Sequence, residues 1–221
     1  MSWQSALTKT LETTYGRAQS EGLEWSVVGS AATALQGWRI SPHDIDIMTR
    51  VPEHVFRFAA FMQPFAAAEC AAESPGTGWW FSTQKKPVYV GSYWGLDWHF
   101  ARWEIDDTNV EIVHIVAPGG HECFRNSSGV WECDPSVWPH IRTVRFAGRA
   151  VPVVPLEIQL ETNMTRGYTF SGESLEGRIA EVVRVLRETG CNRSLLEWAL
   201  REEHLAKVDP RINAGQSAGR R

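Results

Sequence analysis

The 221-residue chain has no long run of basic side chains, and its net charge is −4. A protein whose main task is to grip nucleic acid non-specifically carries a cationic surface that displaces counterions from phosphate. This balance argues against that class while leaving room for one local basic patch. The chain also lacks an apolar stretch long enough to span a bilayer. Its opening residues, Met-Ser-Trp-Gln-Ser-Ala-Leu-Thr-Lys, lack the charged segment followed by an apolar one that marks a secretion signal. No membrane association and a cytoplasmic location are therefore expected. Cysteine is scarce: Cys70, Cys123, Cys133 and Cys191 are the four, no Cys-x-x-Cys occurs, and reduced thiols are expected rather than bridges. No internal repeat is visible.

Tryptophan, by contrast, is abundant, with eleven residues, many between positions 79 and 138. Trp is large and rarely fully buried, so most are read as core or core edge and a few as lining for a cleft. Apolar spacing predicts a first helix over 3–20, closed by Gly22. A short strand over 25–28, a helix over 30–35 and a strand over 44–48 follow, then a helix from 51 to about 62. Strands are expected at 79–82, 88–91, 96–102 and 110–116, and a hairpin joins 141–146 to 150–154. Helices over 155–164, 174–188 and 194–206 complete the chain. The expected class is α/β (α+β), a mixed sheet flanked by helices with a C-terminal helical part. The corresponding division is 1–154, 155–207 and a disordered tail over 208–221.

The segment 25–50 organises the rest. Side chains alternate faces along a strand, so Asp44 and Asp46 share one face while Ile45 and Ile47 share the other. Two neighbouring carboxylates are costly unless a positive charge sits between them, and a divalent metal is the obvious candidate. Gly29-Ser30 upstream offers a tight turn and main-chain N–H groups suited to phosphate. On the strand over 110–116, Glu111 and Val113 fall on one face and Val110, Ile112 and His114 on the other. Asp106 and Asp107 read as solvated turn residues, although a different register would put one of them in the place of Glu111.

Val28-Gly29-Ser30, His43-Asp44-Ile45-Asp46-Ile47 and Val110-Glu111-Ile112, taken in order, resemble the nucleotidyltransferase superfamily. Its pattern is apolar-Gly-Gly/Ser, then Asp-apolar-Asp-apolar, then a later apolar-carboxylate-apolar. The resemblance implies a polymerase-β-like fold and transfer of a nucleoside monophosphate from a nucleoside triphosphate, ATP among them, to a hydroxyl. It assigns Asp44, Asp46 and Glu111 to two Mg²⁺ ions roughly 3.5–4 Å apart, with Glu111 beside the acceptor hydroxyl. It assigns Gly29 and Ser30 to the triphosphate, with Lys85 and Arg102 as further nucleotide-binding candidates.

Chain length and acidic charge favour a small acceptor over a long polynucleotide, and the resemblance implies an antibiotic-like one. The alternatives are a toxin-type enzyme acting on tRNA or protein, and a non-catalytic nucleotide-binding protein of the same fold. Oligomeric state is left open. His121, Cys123, Cys133 and His140 are zinc-type side chains, but their spacing fits no established pattern, and ordinary loop and core roles are expected. Glu157 and Glu161 are expected on an exposed helix face.

Overall fold

A computed structural model describes residues 2–75, 78–93, 95–116, 129–166 and 174–213. In chain order the elements are α1 (Trp3–Ser20), β1 (Trp25–Val28), α2 (Gly29–Leu35), β2 (Asp44–Thr49), α3 (Pro52–Phe61), β3 (Tyr89–Tyr93), β4 (Leu96–Ile105), β5 (Thr108–Val116), β6 (Arg142–Phe146), β7 (Arg149–Val153), α4 (Leu156–Arg166), α5 (Leu175–Thr189), α6 (Arg193–Ala199) and α7 (Glu202–Asn213). The strands form one mixed sheet in the order β3-β4-β5-β2-β1-β7-β6. Strand β2 runs antiparallel to β1 and parallel to β5, and β1 runs parallel to β7. The mixed-sheet α/β architecture is the one expected.

The alternation of β2 and its neighbours decides which face is core. Ile45, Ile47, Val110, Ile112, Ala101 and Trp103 pack with Leu7 and Leu11 of α1 and with Val55 and Phe58 of α3. Burying a side chain of this size contributes roughly 1.5–3 kcal/mol, so a one-residue slip of β2, which would exchange the isoleucines for the aspartates, is strongly disfavoured. On the opposite face, Val28 and Met48 join a second cluster built from α4, α5, α6 and α7. Trp80, Phe100, Val113 and Ile115 form a third.

Two tight turns expected from the sequence use left-handed backbone. Ala147 and Gly148 both have positive φ (46° and 74°) and join β6 to β7. Asp106 and Asp107 do the same between β4 and β5 (53° and 60°). Asp106 accepts from Ser5 Oγ (2.6 Å) and Lys9 Nζ (2.5 Å), which hold its carboxyl below the usual range. The turn reading of this pair therefore stands, and Asp107 is exposed as expected, but Asp106 is not solvated: its side chain is only 8% exposed and is tied to α1.

Three expectations are corrected. Residues 79–82 form no strand: Ser82 N–H donates to the Arg102 carbonyl, but the Ser82 hydroxyl takes the Arg102 N–H and ends the ladder there. The expected helix over 194–206 breaks at Leu200, which lets the Arg201 N–H and Nε reach Glu161 (3.2 and 2.9 Å). Finally, α7 continues through residues expected to begin a tail, because Val208 and Ile212, four apart on one face, are buried in the second cluster. Residues 214–221 lie outside the described residues. No helix among the described residues is long and apolar enough to cross a membrane.

Candidate functional site

Strand β2 is the centre of the site. Its register sets Asp46 beside Val28 of β1 on one side and beside Glu111 of β5 on the other, and sets Asp44 beside Asn109. Neighbouring residues of paired strands share a face, so Asp44, Asp46 and Glu111 project to the same side, away from the isoleucine core. Both aspartates are half-buried. His43 is exposed just before the strand. The register thus selects Glu111, not Asp106 or Asp107, as the carboxylate beside Asp46.

Gly29 closes the other side. Its φ is +63°, and a Cβ built there would stand 2.7 Å from Asp46 Oδ2. The turn is therefore laid directly on the Asp46 carboxylate, which only glycine permits. Ser30, half-buried, follows at the start of α2, and its carbonyl accepts from the Thr33 hydroxyl.

Glu111 is engaged by Arg102, its cross-strand partner on β4. Arg102 Nε and Nη2 both reach Glu111 Oε1, at 2.7 and 2.6 Å. The guanidinium is walled by the rings of Phe100, Trp79 and Phe81, at 5.0, 5.2 and 5.9 Å. Burial pushes the Glu111 carboxyl above its ordinary range, the Arg102 charge and hydrogen bonds pull the other way, and Asp44 adds to the rise. Arg102 therefore lies at the site through Glu111. Lys85 is exposed in the turn before β3, where the neighbouring Thr83 N–H donates to the Lys86 carbonyl.

Among the described residues, no three His, Cys, Asp or Glu side chains converge closely enough to hold an ion as they stand. The donor chemistry nevertheless fits a hard divalent cation: two carboxylates share one face, a third lies on the adjacent strand, and a glycine keeps the approach open. For the zinc-type residues, Cys133 packs against the second core cluster and His140 lies over Trp198 with ring centroids 4.5 Å apart. His121 and Cys123 fall outside the described residues.

Sequence reasoning missed a buried carboxylate. Glu132, only 1% exposed, accepts the Gly29 N–H at 2.7 Å and the Gln159 side-chain amide at 2.5 Å on the same oxygen, Oε2. It sits between β5 and β6, where the sequence predicts no helix or strand, and no local periodicity marks it. Glu157 and Glu161 were expected on an exposed face, yet they are 0% and 2% exposed. Glu157 is paired with Arg142 (2.8 Å) and accepts the Asn192 N–H. Glu161 takes Arg201 and the His204 Nδ1 (2.8 Å). The missed signal was the distant Arg and His that these carboxylates require when buried. Of the tryptophans between β2 and β5, Trp80 and Trp103 are core, whereas Trp79 is 69% exposed beside Arg102.

A profile of the aminoglycoside-2''-adenylyltransferase family matches residues 10–179. Among solved structures, a Thermotoga maritima protein assigned as a nucleotidyltransferase is 26% identical, with a TM-score of 0.50 over 76% of this chain and 88% of its own. The lincosamide antibiotic adenylyltransferase LnuA, solved with lincomycin, is 12% identical over 80% of this chain and 96% of its own, at a TM-score of 0.45. No curated protein matches the chain. The matched stretch takes in β1, α2, β2 and β5, and hence every carboxylate and glycine just described; the chain belongs to the aminoglycoside-2''-adenylyltransferase family and has the nucleotidyltransferase fold.

Proposed function

We propose that the protein transfers a nucleoside monophosphate from a nucleoside triphosphate, ATP by the family's adenylyl chemistry, to a hydroxyl of a small antibiotic-like acceptor. The observation that carries this reading is the register of β2 on β5, which sets Asp46 beside Glu111 on the face where Gly29 touches Asp46. The acceptor oxygen attacks the α-phosphorus, a new P–O bond forms, the bond to the β-phosphate oxygen breaks, and pyrophosphate leaves. Divalent metal, Mg²⁺ in this reading, neutralises charge on the phosphoryl oxygens when bound. Asp44 and Asp46 would hold it from β2, and Glu111 would complete the set if it exchanged its pairing with Arg102 for the cation. A Glu111 carboxylate freed in this way takes the proton of the attacking hydroxyl. Arg102, once released, supplies a positive charge for the triphosphate from the same face. Gly29 and Ser30 approach the β- and γ-phosphates, and Lys85 lies outside this set.

The test is direct. The protein is incubated with Mg²⁺ and each labelled triphosphate, and offered aminoglycosides, lincosamides, bulk tRNA and itself. Label on a small molecule, preferentially from ATP, is the expected result. Label on tRNA or on protein transfers the assignment to those acceptors. No transfer, with a melting temperature unmoved by nucleotide, sinks the enzymatic reading.

A further inference from the structure

Glu132 is a buried carboxylate that the proposed chemistry does not use, and its contacts are unusual for a loop residue. Oε2 receives two donors, the Gly29 main-chain N–H and the Gln159 amide, while the Glu132 N–H itself donates to Thr162 Oγ1 at 3.1 Å. Gln159 and Thr162 both belong to α4. The loop is also pinned just before Glu132. The Val130 N–H donates to the Ala199 carbonyl, and a Cβ on Gly129 would collide with the Glu161 carboxylate at 2.1 Å. Gly29 in turn lies on Asp46 Oδ2. A continuous line of contacts thus runs from α4, through one carboxylate oxygen, to the glycine that covers a proposed metal ligand.

Taking a carboxylate out of water is costly, and its retention here calls for a role. An ionised carboxylate only accepts, so it receives both N–H groups on one oxygen without presenting a donor of its own. An α2 of seven residues, with no side-chain cap of its own, would leave the first N–H to water. Glu132 takes that N–H and ties it to α4.

We infer that Glu132 is a positioning residue: it fixes the Gly29 turn against Asp46, so that the C-terminal helices set the geometry with which the site receives a metal-bound nucleoside triphosphate. The inference rests on the proposed transferase reading and deepens it. Glu132 touches neither substrate nor reacting atoms.

The test uses the full-length protein, with Glu132→Ala, Glu132→Gln and Gln159→Ala compared with wild type. Three quantities are read: exchange of the Gly29 amide, binding of Mg-ATP by calorimetry, and the separate KM values for ATP and acceptor. Glu132→Ala is expected to speed Gly29 exchange and to weaken Mg-ATP binding by about tenfold or more, the usual scale for a group that orients a ligand residue. The acceptor KM stays at the wild-type value. Glu132→Gln, which keeps the acceptor oxygen, restores binding, and Gln159→Ala gives a smaller loss of the same kind. If Glu132→Ala does not fold, Glu132→Gln and Gln159→Ala carry the comparison. Mg-ATP binding and Gly29 exchange unchanged in the alanine variants, or Glu132→Gln as impaired as alanine, would overturn the inference alone. Wild-type protein that fails to bind Mg-ATP overturns the transferase reading as well.

Discussion

At the scale of single residues, the site is a matter of what stands against Asp46. Placing a methyl at Gly29 forces a left-handed backbone on an L-residue, at about 1–2 kcal/mol. It also drives into a carboxylate that can rotate away. Gly29→Ala is therefore expected to lose more activity than stability, seen as near-complete loss of transfer with a melting temperature only a few degrees lower. Asp46→Asn removes charge but little volume, so transfer is expected to vanish while the unfolding curve stays in place. Surviving activity would disprove the metal assignment. Arg102→Ala leaves Glu111 half-buried beside Asp44 without its cation and should destabilise the protein by about 1–3 kcal/mol, measured by urea unfolding in chelator. The aspartates and Gly29 were legible in the sequence because each obeys a local rule: strand alternation for Asp44 and Asp46, a tight turn for Gly29. Glu132 obeys none, since its partners, Gly29 and Gln159, lie far away along the chain.

At the scale of elements, β4 and β5 carry facing histidines. His99 and His114 are cross-strand partners whose rings lie 6.2 Å apart. Burial lowers both below the ordinary imidazole value, with Glu53 pulling each back up and Asp97 doing so for His99. His114 is also held by the Thr49 carbonyl (3.0 Å) and depressed by His54 and by His99 itself. A histidine whose folded value is depressed binds fewer protons in the folded chain. Its destabilising effect is absent above about pH 6.5 and grows as pH falls from there toward the folded values. Stability is thus expected to fall between pH 7 and 5.5, and His99→Phe should flatten that slope; an equal slope in the variant would refute the assignment.

Helix α4 shows why its environment escaped the sequence. Leu-Glu-Ile-Gln-Leu-Glu alternates polarity and suggests a wet face, yet residues 156–163 are all buried, and their carboxylates are met by Arg142, Arg201 and His204 from other elements. Glu161→Ala leaves Arg201 and the buried His204 without their shared acceptor and is expected to cost about 1–3 kcal/mol, read from the denaturation midpoint.

At the scale of the whole molecule, the division at residue 154 follows the chain rather than the packing. Val28 and Met48 from the sheet share one hydrophobic cluster with α4, α5, α6 and α7, and Gln159 of the second part donates to Glu132 of the first at 2.5 Å. A fragment of residues 1–154 exposes that face of the sheet. It is expected to unfold without a sharp transition, while the full chain melts as one unit by calorimetry. The parallel pairing of β2 with β5 has a kinetic meaning. Asp46 and Glu111 meet only when a long stretch of chain, including β3 and β4, has closed between them. Closing such a span is the late, slow event in folding a mixed sheet. A refolding chain therefore passes through states with helices and local hairpins but no assembled site, and nucleotide binding should return in the slowest refolding phase, after most of the helical signal.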